Sequence, residues 1–424
     1  MAAGLCTTAP HAPVDHGITK ARLTGHPQHL HTGKVATFNA TYPYTCVIDP
    51  MDLVGHELRE LKQNIGKLLA CRDPSLNSVL QYAFHDEGKL TCPMLVLLMA
   101  QATSVTNKEN AYLIHADYRF LDQRISRGFE RGGDEAAFHQ QTYYPYYRAS
   151  VAYDGCIILP SQRRLAEIAE IIHVASLLHD DVIDGSDTRR HRQSVNARFG
   201  NKSAILAGDF LITRASMAMA RLGYPACTEL MAGCLVDLVE GEWMQLQDAT
   251  TDERDSDALS REAVFDRYLE RIYKKTASLV ANSCQASALL GGAAIETVTM
   301  AYEFGRHLGI AYQLLDDTLD FSVSHADLGK PVGADLKLGL ATAPVLFAWE
   351  EFPELGPLIA RRFSQEGDIE MAQCLVLRSN GVKKSLALAR KHSMLAIAAI
   401  SKLPSSGACS ALIHWTEKLM KRTL

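Results

Sequence analysis

Six aspartates in two matching clusters are the residues of this sequence best placed to do chemistry. His179-Asp180-Asp181-Val182-Ile183-Asp184 sets three carboxylates within five residues, right behind the apolar run Ile171-Ile172-His173-Val174-Ala175-Ser176-Leu177-Leu178. At roughly 100° per residue, Asp180 and Asp184 lie almost one above the other on a helix, with Asp181 beside them. Leu314-Leu315-Asp316-Asp317-Thr318-Leu319-Asp320-Phe321 repeats the spacing behind a second apolar run. Such a cluster repels itself, and at the end of an apolar helix it is costly unless a cation neutralises it. A single acidic triplet on a helix is usually a solvated face. Two identical triplets behind apolar runs point instead to metal. Facing each other across a cavity, Asp180, Asp181, Asp184, Asp316, Asp317 and Asp320 hold several hard divalent cations, and the cations hold a strongly anionic ligand. All-oxygen ligation with positions left open for phosphate suits Mg²⁺.

Basic residues stand near both clusters. Asp187-Thr188-Arg189-Arg190-His191-Arg192 follows the first after Gly185. Elsewhere such a run is only surface charge. Beside metal-binding carboxylates it fits a phosphate ligand, which guanidinium groups grip bidentately. Gly88-Lys89 precedes an apolar helix and could offer backbone N–H groups and a charge to a phosphate, although a lone Lys at a turn is usually just solvated. Lys275 and Thr276 could face the cavity, with an ordinary helical Lys as the plainer reading. Asp327 to Lys337 is a turn-rich loop past the second cluster that could close over a ligand.

The elements that must position these groups are helices. Period-two stretches bounded by turn residues are nearly absent, so the fold class is all-α. Helical periodicity starts near Val47-Ile48-Asp49-Pro50, and Pro74 opens a second helix running to about Phe84. The first catalytic helix spans Leu165 to Asp184. Another runs from Ala226 to Gln247, and the helix bearing Asp316 begins near Thr297. The chain has 424 residues, 47% hydrophobic and 21% charged, with no internal Pro/Gly/Ser-rich linker. Clusters that act together belong in one domain, here 46–424, with a polar and aromatic irregular insertion at 104–160. Residues 1–45 read as a disordered or targeting segment: acid-poor, but with only Lys20, Arg22 and Lys34 as basic residues. The net charge of −5 argues against nucleic acid as a partner. No apolar run approaches the roughly 20 residues that span a bilayer. Ten scattered cysteines without Cys-x-x-Cys fit reduced thiols rather than zinc.

Paired Asp-Asp-x-x-Asp motifs, Arg189-Arg190 after the first and Gly329-Lys330-Pro331 after the second make the chain resemble the trans-polyprenyl diphosphate synthases from about Asp49 to the C-terminus. The strings Ala207-Gly208-Asp209-Phe210-Leu211, Tyr312-Gln313-Leu314-Leu315-Asp316-Asp317 and Gly333 to Pro344 resemble the long-chain branch that makes the ubiquinone tail, the fungal mitochondrial members above all. The resemblance implies an isoprenoid-synthase helical bundle around a central cavity. It implies about three Mg²⁺ on the six aspartates, which stabilise a leaving diphosphate as the allylic C–O bond ionises. Arg189, Lys275 and Lys330 would add charge on that diphosphate, and Thr276 and Gln313 would line the site. Lys89, His173 and Arg190 would hold isopentenyl diphosphate. A homodimer packed through helices before the first cluster is also implied, as are peripheral membrane association for product release and a mitochondrial matrix location, with the cytoplasm as alternative.

Two motifs depart from the family pattern. Its Gly-Lys-x-x-Arg-Pro reads Gly88-Lys89-Leu90-Thr91-Cys92-Pro93, and its Arg-Arg-Gly-x-Pro reads Arg189-Arg190-His191-Arg192-Gln193. Losing one charge-assisted contact costs about 1.5–3 kcal/mol, so substrate affinity is touched more than ionisation. Arg192 could compensate. The product tail should run from Asp180 past Ser176 and Ala175. Both are small, whereas short-chain members carry an aromatic there, so a product of about six to ten isoprene units is expected from the resemblance. A class I terpene cyclase is the rival reading, but its second metal motif is usually Asn/Ser/Glu rather than Asp316-Asp317-x-x-Asp320. A weakly active subunit of a heteromeric synthase is the other, although such subunits tend to lose their Asp clusters.

Overall fold

The computed structural model describes residues 48–85, 90–109, 121, 150–151, 156–190, 192–250, 260–321 and 333–421. The expected segment at 1–45 and most of the expected insertion at 104–160 lie outside them, as do Lys89, Lys330 and His191.

Asp-Pro pairs start the first two helices. Asp49 accepts the Met51 N–H and Pro50 presets the helical φ, giving α1, Pro50–Leu69. Asp73 and Pro74 do the same for α2, Pro74–Phe84. Neither helix is buried all round. By contrast α3, Thr91–Ser104, is buried at every residue from Pro93 to Thr103, as its uninterrupted apolar sequence requires. A short hairpin, β1 (Ser150–Val151) with β2 (Ile157–Ile158), leads into α4, Pro160–Ile183.

The centre of the bundle is α4. Every residue from Pro160 to Ile172 is buried, charged ones included. Arg163 is neutralised by Glu57 of α1 at 2.6 Å and 3.0 Å, and Arg164 by Glu167 at 2.6 Å. Unpaired charges there would cost several kcal/mol. Around α4 pack α3, α6 (Asn201–Arg221) and α9 (Ser278–Leu290). α5, Val195–Phe199, leads into α6. A second hairpin, β3 (Thr188–Arg189) with β4 (Arg192–Gln193), separates α4 from α5. The period-two reading missed both hairpins because each strand is two residues long.

The far wall comprises α7 (Pro225–Thr250), α8 (Arg261–Ile272), a π turn (Tyr273–Ala277) running straight into α9, and α10 (Ile295–Leu319). Helices α9 and α10 approach closely because two glycines allow it. A Cβ on Gly305 would sit 2.7 Å from the Ala281 Cα, and one on Gly309 would sit 2.5 Å from the Ala277 Cα. Five further helices complete the shell: α11 (Ala334–Lys337), α12 (Ala343–Trp349), α13 (Leu355–Ala360), α14 (Asp368–Arg378) and α15 (Gly381–Ile400), which packs along α10. α16, Gly407–Met420, closes against α3 and α15. No described helix is long and apolar enough to cross a membrane. All eight described cysteines are free.

Candidate active site

The last turn of α4 delivers the first cluster. Asp184 is its C-cap, its N–H donating to the Asp180 carbonyl at 2.8 Å. The β3–β4 hairpin then folds back over these carboxylates. Arg189 Nε lies 2.9 Å from both oxygens of Asp181, and its Nη2 reaches Asp180 at 3.4 Å. Arg190 makes the reversal with a positive φ of 50°. The hairpin is anchored at its far end, where the Tyr82 hydroxyl donates to the Gln193 carbonyl at 2.8 Å and Arg192 lies over the Tyr82 ring. Asn196 of α5 donates to the backbone carbonyls of Asp181 and Ser186.

The second cluster ends α10. Asp317 is buried, accepting from the Tyr268 hydroxyl at 2.6 Å and from Gln313 Nε2 at 2.7 Å. Asp320, the C-cap, accepts the backbone N–H groups of Ala334 and Asp335 at 3.1 Å and 3.2 Å. Asp316 points to an exposed position.

The π turn joins the two clusters. Adjacent residues on a regular α-helix diverge by about 100°, and a one-residue π bulge re-aims side chains at such a place. Lys275 Nζ bonds Asp180 of the first cluster at 3.1 Å, with Gln245 at 2.8 Å and Glu242 at 2.9 Å. The very next residue, Thr276, donates to Gln313 Oε1 at 2.7 Å, and Gln313 holds Asp317 of the second. Gln245 in turn donates to Asp184 at 3.0 Å. Gly241 allows α7 this close: a Cβ there would lie 2.9 Å from the Lys275 backbone nitrogen.

Crowded carboxylates show in their protonation. Burial, then Asp180, pushes Asp184 up to about 6. Burial pushes Asp317 up to about 6 against the hydrogen bonds of Tyr268 and Gln313. Asp335 of α11 rises well above the carboxylate range through burial and the charges of Asp317, Asp320 and Asp316, so it is a further acid of the second cluster. Burial works against the charge of Lys275 and Arg189, yet the acids around them hold both above their ordinary values. Hard oxygen donors in excess of nearby positive charge fit divalent cations.

Of the residues picked out in the sequence, Asp180, Asp181, Asp184, Arg189 and Lys275 share one hydrogen-bonded network, completed through Gln245. Thr276, Gln313 and Asp317 share a second, and Asp320 bonds the backbone that starts α11. His173 sits two turns below Asp180 and is held near 4 by burial, then by Arg190 and Arg189, so it is a neutral group. Ala175 is fully buried in the core and Ser176 is half-buried, its hydroxyl on the His173 carbonyl. Tyr268, Glu242, Gln245 and Asp335 were missed. Nothing in their spacing marks them, since each comes from a different helix than the aspartate it serves.

Comparison with known proteins gives the family. The polyprenyl synthetase family model matches residues 152–376. The chain is 48% identical over 375 residues to a probable mitochondrial hexaprenyl pyrophosphate synthase of Neurospora crassa, covering 88% of this chain and 82% of that one. It is 41% identical to the mitochondrial hexaprenyl pyrophosphate synthase of Saccharomyces cerevisiae, covering 88% and 90%. The crystal structure of a decaprenyl diphosphate synthase from Rhodobacter capsulatus superposes with a TM-score of 0.67 at 26% identity, covering 88% and 97%. The chain belongs to the polyprenyl synthetase family. It is a chain-elongating prenyltransferase of the long-chain branch, with the all-α isoprenoid synthase fold and a mitochondrial location. The class is magnesium-dependent. Nothing supports the terpene cyclase alternative.

Proposed function

We propose that this chain condenses isopentenyl diphosphate with an allylic diphosphate and repeats the step to a product of about six to ten isoprene units. The observation that carries the reading is the link between clusters: neighbouring residues Lys275 and Thr276 serve Asp180 on one side and, through Gln313, Asp317 on the other. One dianionic head group placed between them meets both.

The six aspartates divide into two roles in this reading. Asp181 and Asp317 are buried and fully engaged by Arg189 and by Tyr268 with Gln313, so they position. Asp180, Asp184, Asp316 and Asp320 would hold about three Mg²⁺. Bound magnesium would neutralise the allylic diphosphate and help it leave. Lys275 and Arg189 donate to the departing oxygens, and Thr276 and Gln313 fix the distance between the clusters. The allylic C–O bond breaks with its electron pair going to the diphosphate. The double bond of isopentenyl diphosphate then supplies the pair for the new C–C bond, and a proton from the adjacent carbon passes to the departed diphosphate. Arg190 and neutral His173 hold the second diphosphate. Lys89 and Lys330 are assigned the roles given by the family pattern. The tail runs beside Ala175 and Ser176, where small side chains leave room.

A homodimer fits, through the helices before the first cluster as the family resemblance implies or through another exposed apolar face. The three most exposed large apolar side chains among the described residues lie on α6 and α7: Leu206 is 65% exposed, Val239 67% and Trp243 61%. A face of that kind marks an interaction site. The matrix side of the inner membrane is the natural place for release of so apolar a product.

The test is product sizing. Purified chain with Mg²⁺, labelled isopentenyl diphosphate and farnesyl diphosphate should give a ladder ending at one long linear product. Ala175→Phe should shorten that product sharply. An unchanged ladder from this variant removes Ala175 from the tail path, and a cyclic hydrocarbon from the parent chain rejects elongation.

A further inference from the structure

The search for chemistry outside the described network leads to Glu170. It lies on the fully buried half of α4, ten residues before Asp180, and is 7% exposed. Three other charged residues on that half, Arg163, Arg164 and Glu167, have ionic partners at 2.6 Å. Glu170 Oε2 has none: it is a buried oxygen without a hydrogen bond. A buried carboxylate left so destabilises the chain around it.

The groups facing it explain why. From α3 comes Cys92, a half-buried thiol whose ionisation is suppressed by burial and then by the Glu170 charge itself. From α1 comes Lys62, and from the β3–β4 turn Arg190, both acting at a distance without a hydrogen bond to that oxygen. His173, one turn along α4, is neutral. A thiol cannot neutralise an acid. Position 92 is also where the family pattern has an arginine, whose side chain is longer and ends in a planar fork made for a carboxylate.

We infer that Glu170 is the counter-ion for a guanidinium at position 92, and that by carrying Cys92 this chain leaves an unpaired acid beside the isopentenyl diphosphate site that weakens its hold on that substrate. The inference rests on the elongation reading and adds to it a positioning residue and an affinity determinant. Ionised Glu170 competes with the incoming diphosphate for Arg190. Burial pushes Glu170 up to about 7 against the pull of Arg190 and Lys62, so the acid titrates within the working pH range. Below that value the group is neutral and the competition ends. Above it the competition is full.

A double-mutant cycle on the full-length chain tests this, using Cys92→Arg, Glu170→Gln and the pair. Cys92→Arg should lower KM for isopentenyl diphosphate about tenfold with kcat nearly unchanged, the size of one charge-assisted contact. Glu170→Gln alone should lower KM a few-fold above pH 7 and not at pH 6, flattening the pH profile of KM. In the double variant the gain from Cys92→Arg should shrink to less than threefold. Melting temperature supplies a readout independent of turnover. Cys92→Arg should raise it when Glu170 is present and lower it in the Glu170→Gln background, where the guanidinium is left unpaired. Equal effects of Cys92→Arg in both backgrounds, in KM and in melting, overturn the pairing. A parent chain that turns over no substrate while the melting cycle still shows coupling rejects the elongation reading and keeps the Glu170 assignment.

Discussion

Residues that never touch the substrate decide how the two aspartate clusters work. Asp317 owes its position to Tyr268 and Gln313, and the Tyr268 bond is worth about 1.5–3 kcal/mol because one partner is charged. Tyr268→Phe should therefore lower kcat/KM by roughly tenfold to a hundredfold, with little change in product length. Steady-state kinetics on a folded variant decides it, and a wild-type value would remove Tyr268 from the machinery. Asp184 gives a pH prediction. Its carboxyl titrates near 6 in the folded chain because burial and Asp180 oppose its charge. A raised carboxylate pKa means that folding takes up a proton. The stabilisation is full below the unfolded value near 4 and is lost as pH rises through about 6. Asp184→Asn should then stabilise the metal-free chain above pH 6, by on the order of 1 kcal/mol after discounting for solvent screening, and leave it unchanged at pH 4. It should also abolish most activity. Melting curves against pH show whether the gain appears only on the alkaline side. The aspartates and Arg189 could be read in the sequence because each lies in a short motif with its own chemistry, whereas Gln313 came only through the family resemblance. Tyr268, Glu242, Gln245 and Glu170 could not, because their meaning lies in a partner on another helix.

Helix contacts set the distance between the clusters. The π turn is the joint, and Gly241 is what lets α7 press against it. Gly241→Ala should push on the Lys275 backbone without altering any charge. Overpacking of this kind costs about 1–3 kcal/mol, and the displaced Lys275 should lower kcat/KM about tenfold. An unaltered variant would show that the close approach has no bearing on Lys275. Helix identity was legible from periodicity and from the Asp-Pro starts of α1 and α2. The chain reads as helical from Ser161, close to the start of α4 at Pro160, but Arg163, Arg164 and Glu167 look like a solvated face until Glu57 is seen to neutralise one of them. The hairpin bearing Arg189 was missed because strands of two residues leave no period. The π turn has no sequence signal of its own, so Lys275 and Thr276 stayed ambiguous until their partners were in view.

At the scale of the molecule, α6 and α7 present apolar side chains that a lone chain leaves in water. Val239→Asp with Trp243→Asp should convert a dimer to monomer in light scattering and lower activity through the nearby end of α7. A chain that is monomeric before any substitution would reject the dimer proposal. The all-α class was readable from the outset because a large apolar content without period-two stretches has no other solution. The two-cluster site was readable because its motif occurs twice. The shared occupancy of that site by one diphosphate and several metal ions is the central claim, and one titration reaches it. Binding of a non-ionising farnesyl thiolodiphosphate should be measured against magnesium concentration. The affinity should rise with a log–log slope of about three, and Asp180→Asn or Asp316→Asn should each reduce that slope by about one. Tight binding without magnesium, or a slope that neither substitution changes, would contradict the account.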